Sequence, residues 1–241
     1  MIYMYTGRPG SGKSLHMASE IHEAIWNGKN VIANFEINEG YFAKAKHPER
    51  LGKFIHVSNR EWQTNGYTNR TTVNPGTGDR MKGVIPDGRY TYLDGLYSFA
   101  LQFHERNKKN QIIEHQTLLV LDECQILFNS RCWAKKDRLD WIEFFREHRK
   151  YGYDVYLVSQ DDKVIDKQVR EILEIKVEHR NVKNYRTAGK LLALLRGGNL
   201  FVWIMSNYAI RGRSDAYMCS EYFTGRKFFN FYNSYQTFHT G

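Results

Sequence analysis

Apolar residues along this chain fall into two textures. Short unbroken runs end in polar residues: Ile2-Tyr3-Met4-Tyr5-Thr6, Asn30-Val31-Ile32-Ala33-Asn34, Thr117-Leu118-Leu119-Val120-Leu121 and Asp154-Val155-Tyr156-Leu157-Val158-Ser159-Gln160, with a further strand from Glu174 to His179. Runs that are apolar at nearly every position suit strands covered on both faces, as in a parallel sheet. Between them the spacing turns helical. Leu15, Ala18, Ile21 and Ile25 recur after the first run, and Leu139, Ile142, Phe145 and Arg149 mark one face of a helix from about 137 to 151, ended by Gly152. Residues Lys163 to Ile172 suit a short helix. The alternation predicts an α/β fold with a mostly parallel central sheet flanked by helices.

Two stretches break the pattern. From 38 to 110 glycine, proline, asparagine and threonine are frequent, and the segment reads as an irregular insertion, with a short hairpin from Thr71-Thr72-Val73 and Val84-Ile85. Beyond Thr187 the texture becomes aromatic and alternating, as in Leu200-Phe201-Val202-Trp203-Ile204-Met205 and Ala216 to Phe223. This predicts antiparallel strands on the sheet edge. The expected division is a core over 1–187, carrying the insertion, and a β-rich extension over 188–241.

The first strand and helix enclose Gly7-Arg8-Pro9-Gly10-Ser11-Gly12-Lys13-Ser14, a full G-x-x-x-x-G-K-S/T loop. The signature carries weight because a strand feeds it and a helix leaves it. Such a loop wraps a polyphosphate with backbone N–H groups, aided by the positive end of the helix. Gly7, Gly10 and Gly12 allow close approach and unusual backbone angles. Lys13 is expected to reach the β- and γ-phosphates, and the Ser14 hydroxyl to help hold Mg²⁺. Arg8 and Pro9 occupy variable positions. The fold class is therefore that of a P-loop NTPase with ATP and Mg²⁺ as cofactors.

About a hundred residues on, the run Leu118-Leu119-Val120-Leu121 ends in Asp122-Glu123. Carboxylates at the end of a buried strand neighbouring the loop suit magnesium chemistry. Asp122 would organise the metal, and Glu123 would act on the attacking water as base or orienting group. Gln160 closes the next strand, where open parallel sheets place their ligand crevice, and becomes a candidate for the γ-phosphate or its water. Phosphoryl transfer also calls for an arginine, and Arg131, Arg146, Arg149 and Arg170 are available.

Charge and composition change the picture little. The chain has 241 residues and is 41% hydrophobic and 15% aromatic, enough for a sizeable core. Lys and Arg number 35 against 26 Asp and Glu, for a net charge of +9. That favours nucleic acid, acidic headgroups or phosphorylated ligands as partners, with Arg106-Asn107-Lys108-Lys109 and Lys135-Lys136 as basic clusters. Cys124, Cys132 and Cys219 lack C-x-x-C spacing and read as reduced structural thiols. None of the nine histidines shows metal-ligand spacing. The most apolar window, Leu191 to Met205, is broken by Arg196-Gly197-Gly198-Asn199, so no membrane span is expected, nor a signal peptide ahead of the first strand.

Val120-Leu121-Asp122-Glu123-Cys124, Phe128-Asn129-Ser130-Arg131-Cys132-Trp133, Arg149-Lys150-Tyr151-Gly152-Tyr153-Asp154, Gln160-Asp161 and Val164-Ile165-Asp166-Lys167-Gln168 occur in this order. Together they resemble the zonula occludens toxin family, which includes the filamentous phage gene I assembly proteins. Tyr222-Phe223-Thr224-Gly225-Arg226 resembles the segment after that family's ATPase core, while 38–110 matches poorly. The resemblance implies a membrane-anchored ATPase that assembles and exports filamentous virions, with its N-terminal domain on the cytoplasmic face of the host inner membrane. The expected partners are further copies in a homo-oligomeric ring and, as the moved cargo, phage coat protein or phage single-stranded DNA, with an anchor outside this chain, the chain itself being soluble. Lys13, Ser14, Asp122, Glu123 and Gln160 take the nucleotide roles by this resemblance, and Arg149 becomes the preferred arginine finger. Two other classes compete: a nucleotide-dependent scaffold with little turnover, and a small-molecule kinase, disfavoured because no arginine-rich lid is evident.

Overall fold

The computed structural model describes residues 1–63, 72–73, 80–81, 92–130, 138–185, 191, 199–210 and 212–232. Strand β1 (Ile2–Thr6) leads through the glycine-rich loop into helix α1 (Lys13–Trp26), then β2 (Asn30–Ala33), β3 (Phe54–His56) and a short α2 (Asn59–Gln63). A two-stranded hairpin, β4 (Thr72–Val73) with β5 (Arg80–Met81), precedes α3 (Tyr92–Phe103) and β6 (Thr117–Leu121). Then come α4 (Arg138–Glu147), β7 (Tyr153–Val158), α5 (Lys167–Glu171), β8 (Ile175–Asn181), β9 (Phe201–Asn207) and β10 (Tyr217–Phe223).

Eight strands form one sheet in the order β10-β9-β8-β1-β7-β6-β2-β3. Its six strands from β8 to β3 run parallel, and β9 and β10 continue it antiparallel. The unbroken apolar runs explain this, because alternate side chains feed two cores. Ile2, Met4, Leu119, Leu121, Val155 and Leu157 face α3 and α4. Tyr5, Leu118, Val120, Tyr156 and Val158 face α1, where Met17, Ala18, Ile21 and Ile25 are buried as the helical spacing requires. The C-terminal antiparallel extension is part of the same sheet.

The structure departs from the sequence reading in five places. β6 does not neighbour β1, because β7 lies between them. Within 38–110 the described residues carry regular elements: β3 extends the parallel sheet beyond β2, and α3 buries Leu93, Leu96, Phe99 and Ala100. The hairpin's second strand is β5, and Val84-Ile85 lies outside the described residues. Leu139 points to solvent at 68% exposure, and α4 instead buries Trp141, Ile142, Phe144 and Phe145. The helix expected over Lys163–Ile172 is split: Ile165 is extended, and Asp166 caps α5 by accepting the Gln168 N–H at 2.8 Å.

The start of β1 is tied down electrostatically. The Met1 ammonium donates to Asp154 Oδ1 at 2.7 Å, and His115 Nδ1 lies 2.7 Å from the same oxygen. Burial alone would raise the Asp154 pKa, but the ammonium and His115 outweigh it and the net direction is down. A depressed carboxylate pKa adds stability above the unfolded value, near ~3.9, and that contribution is lost as pH falls through the native value. Asp154→Asn is therefore expected to cost on the order of 1 kcal/mol at neutral pH, discounted for the half-exposed ammonium. Urea midpoints of variant and wild type should draw together as the pH is lowered below the unfolded value and Asp154 takes up its proton.

Candidate functional site

The parallel register brings the ends of β1, β7 and β6 to one edge of the sheet, where open α/β folds bind ligands. The loop from Gly7 to Gly12 is held there by main-chain contacts. Gly7 N–H donates to the Gln160 carbonyl at 3.2 Å, and Ser11 N–H to that of Arg8 at 3.1 Å. Asn181 Nδ2, at the end of β8, donates to the Gly10 carbonyl at 3.0 Å. Gly12 has φ 94, and a Cβ there would stand 2.7 Å from the Phe201 ring, so this turn accepts no side chain. α1 begins with neither a side-chain cap nor an acidic residue in its first turn. Its leading N–H groups are thus available to an anion. Thr6 Oγ1 and Ser11 Oγ are buried beside the loop with no hydrogen-bond partner among the described residues. Lys13 is buried, and its Nζ donates to the Gly7 carbonyl at 2.8 Å. Burial lowers its pKa, against the opposing pull of Asp122 and Glu123.

The acidic pair faces the same edge. Asn34, just past β2, clamps Asp122 through the main chain: Asn34 Nδ2 donates to the Asp122 carbonyl and Oδ1 accepts the Asp122 N–H, both at 2.7 Å. The carboxylate accepts from Glu123 N–H at Oδ1 (2.8 Å) and from the Tyr232 hydroxyl at Oδ2 (3.0 Å). Burial, then the charge of Glu123, raises the Asp122 pKa to about 6 despite those donors and Lys13. Glu123 sits at φ 47, a left-handed conformation uncommon for a non-glycine residue, and its carboxylate accepts from Gln125 Nε2. Two carboxylates facing one buried ammonium carry excess negative charge, which fits a divalent cation. The cradle of N–H donors and orphaned hydroxyls beside them fits the phosphates such a cation accompanies. No cluster of three or more His, Cys, Asp or Glu among the described residues is arranged to hold a metal unaided.

Lys13, Asp122 and Glu123 are therefore brought together. Ser14 is half-buried on the first turn of α1, and Arg8, Pro9 and Gly10 form the exposed tip of the loop. Gln160 is beside Gly7, with its carbonyl holding the loop and its side chain exposed. Arg149 is not at this edge. It pairs with Glu174, whose other oxygen accepts the Ile2 N–H at 3.1 Å, so it lies near the start of β1. The length of β1 puts that roughly 16 Å from the loop of the same chain. Arg131 lies outside the described residues.

Several residues at the site carried no sequence signal. Asn34, Asn181 and Tyr232 act through contacts between segments far apart in the chain. His16 and His179 form a buried pair under the loop, Nδ1 to Nε2 at 2.8 Å, with the His16 ring stacked on Trp203 at 5.2 Å. His179 Nδ1 faces the Thr6 carbonyl at 3.1 Å, so that nitrogen carries the proton and His16 donates to Nε2. One hint was present: alternation along Ile175–Asn181 puts His179 on the same face as Val177.

The fold and its edge define the class, an α/β fold of the P-loop NTPase type. The N-terminal domain of zonular occludens toxin from Neisseria meningitidis shares it, with a TM-score of 0.52 at 14% identity, covering 96% of this chain and 98% of that one. The family model for Zonular occludens toxin (Zot) matches residues 89–189. The Gene 1 protein of Enterobacteria phage I2-2 is 28% identical over 202 residues, covering 83% of this chain and 46% of that protein. The Gene 1 protein of Enterobacteria phage M13 is 26% identical over 243 residues, covering 98% of this chain and 60% of that protein. The chain thus spans less than two thirds of these relatives. The resemblance read from the central block is to the Zot family with its filamentous phage gene 1 proteins, and the comparisons agree with it. No helix among the described residues is long and apolar enough to cross a membrane.

The histidine pair makes the site sensitive to acid. Burial first, then His16, lowers the His179 pKa to about 3. Between that value and the unfolded one near ~6.5 the unfolded chain binds the extra proton, so stability falls as pH drops, by up to about 1.4 kcal/mol per pH unit. His179→Gln keeps a donor for Thr6 and an acceptor for His16 but does not titrate. Denaturant midpoints measured from about pH 7 to 4 should fall less steeply for the variant than for wild type.

Proposed function

We propose that this chain binds and hydrolyses ATP, and that it serves as the motor domain of a filamentous phage assembly and extrusion machine. The observation that carries the reading is the convergence of Lys13 with the buried Asp122 and the adjacent Glu123 at the mouth of an uncapped helix. Residues Gly7 to Ser14 wrap the phosphates with main-chain N–H groups. Lys13 exchanges the Gly7 carbonyl for a phosphate oxygen, which relieves the cost of a buried ammonium. Ser14 and Asp122 hold the cation. When bound, Mg²⁺ neutralises charge on the β- and γ-phosphate oxygens. Glu123 orients the attacking water or takes its proton, and Gln160 contacts the γ-phosphate side of the pocket from the end of β7.

The arginine comes from a neighbouring chain of a homo-oligomeric ring. Arg149, exposed and paired with Glu174 at the opposite edge of its own sheet, is our candidate for that contact. Hydrolysis would release it, and repeated cycles would drive transfer of coat protein or extrusion of single-stranded DNA. The net charge of +9 and the exposed Arg106, Lys108 and Lys109 support an anionic partner. Lys135 and Lys136 lie outside the described residues. The machine works at the cytoplasmic face of the host inner membrane through an anchor elsewhere in the protein. The similarity to Gene 1 proteins supports this setting.

The rival reading is a scaffold that binds nucleotide and cargo with little turnover. Steady-state phosphate release separates the two. Wild type should turn over, and Glu123→Gln should lower the rate by at least ~10²-fold, the low end for a general base, with ATP affinity preserved. Equal, slow release from both proteins would favour the scaffold.

A further inference from the structure

The C-terminal segment after β10 crosses the molecule. It turns at Gly225, whose φ is 61 and where an added Cβ would lie 3.1 Å from Leu15 of α1. It then passes over α1, packing Phe228 and Phe231 against His22 with ring centroids 5.3 and 5.9 Å away. The Phe231 carbonyl accepts the Asn38 N–H at 2.8 Å, and Tyr232 bridges antiparallel to Ile37. The Tyr232 ring packs on Phe35 at 4.5 Å, and its hydroxyl ends 3.0 Å from Asp122 Oδ2. A strap that begins at one edge of the sheet thus delivers one phenol to the carboxylate beneath the loop. The ring is immobilised by main-chain and aromatic contacts, so the hydroxyl's aim is fixed.

We propose that Tyr232 is a positioning residue for the metal carboxylate: the strap holds its hydroxyl on Asp122 Oδ2, so that the carboxylate presents a fixed edge to a nucleotide-bound divalent cation. Glu123 N–H takes Oδ1 in the same way, and Asn34 fixes the main chain behind both. Each oxygen accepts one hydrogen bond and keeps lone-pair capacity for a cation or its water. Tyr232 acts as the outer partner of a metal ligand, a position whose loss typically costs about 10–100-fold in metal affinity. This rests on the nucleotide reading above.

Tyr232→Phe keeps the ring on Phe35 and removes only the hydroxyl. Affinity for the β,γ-imido analogue of ATP is measured by calorimetry in EDTA and across a Mg²⁺ titration. The variant should bind the metal-free analogue as wild type does and require about tenfold more Mg²⁺ to reach the tight state. An unchanged Mg²⁺ requirement, or a lower one as expected if the phenol merely blocked the cation, overturns the positioning role while leaving the nucleotide reading intact. Failure of wild type to bind the analogue at all overturns both. A second readout uses wild-type protein alone, labelled with ¹³C at tyrosine Cζ. The Tyr232 resonance should move when Mg²⁺ is added to the analogue-loaded protein, and a resonance indifferent to Mg²⁺ overturns the proposal even if the variant misfolds.

Discussion

A carboxylate buried beneath an anion-binding loop is the constraint around which this sheet edge is organised. Taking Asp122 out of water costs several kcal/mol, and the neighbouring Glu123 adds repulsion. The fold offsets this with Glu123 N–H, the Tyr232 hydroxyl and the nearby Lys13, drawn from four separate regions once the Asn34 clamp is included. Hydrogen bonds to a charged group contribute about 1.5–3 kcal/mol each, so two of them and one ammonium offset part of the burial, and the raised pKa marks the part left uncompensated. Lys13 is in the complementary position: buried, and satisfied by a single carbonyl.

The parallel register makes this possible. Because β1, β7 and β6 run the same way, their C-terminal ends reach the same edge, and the intervening β7 supplies the Gln160 carbonyl that pins Gly7. Direct adjacency of β1 and β6 is absent, and the inserted strand separates loop and acid pair sideways. The opposite edge gathers a different set of charges, in which Asp154 and Glu174 anchor Met1, Ile2 and Arg149. An arginine on that edge can serve a phosphate only in another chain.

How much of this was legible in the sequence follows from which forces are local. The buried parallel strands show as apolar runs, and the loop shows because phosphate chemistry demands particular residues at fixed spacing. Helix α3 was hidden: Leu93, Leu96, Phe99 and Ala100 repeat at helical intervals, but Gly95 interrupts them and glycine-rich sequence precedes them. Leu139 misled because periodicity gives a helix two possible apolar faces, and Trp141 and Phe144 bury more area than Leu139 offers. Asn34, Tyr232 and the pairing of His16 with His179 were illegible for a different reason. Each is one polar residue whose meaning comes from a partner 88 to 163 positions away.

The β-rich extension reaches the site at several points. Phe201 of β9 fills the space against Gly12, and Trp203 stacks on His16 in the first turns of α1. Beyond β10 the strap adds the hydroxyl on Asp122. These contacts reach loop, helix and carboxylate separately, so the extension touches each part of this edge. Linkage makes such coupling reciprocal. If binding tightens the loop against Phe201 or draws Asp122 toward a cation, the extension is displaced or stabilised by the same free energy. A force applied to the extension biases the site equally. A glycine-rich loop on a lone βα unit would make no contact with strands so far along the chain. Here packed side chains join the extension to the loop and the helix, and one phenol joins the strap to the carboxylate.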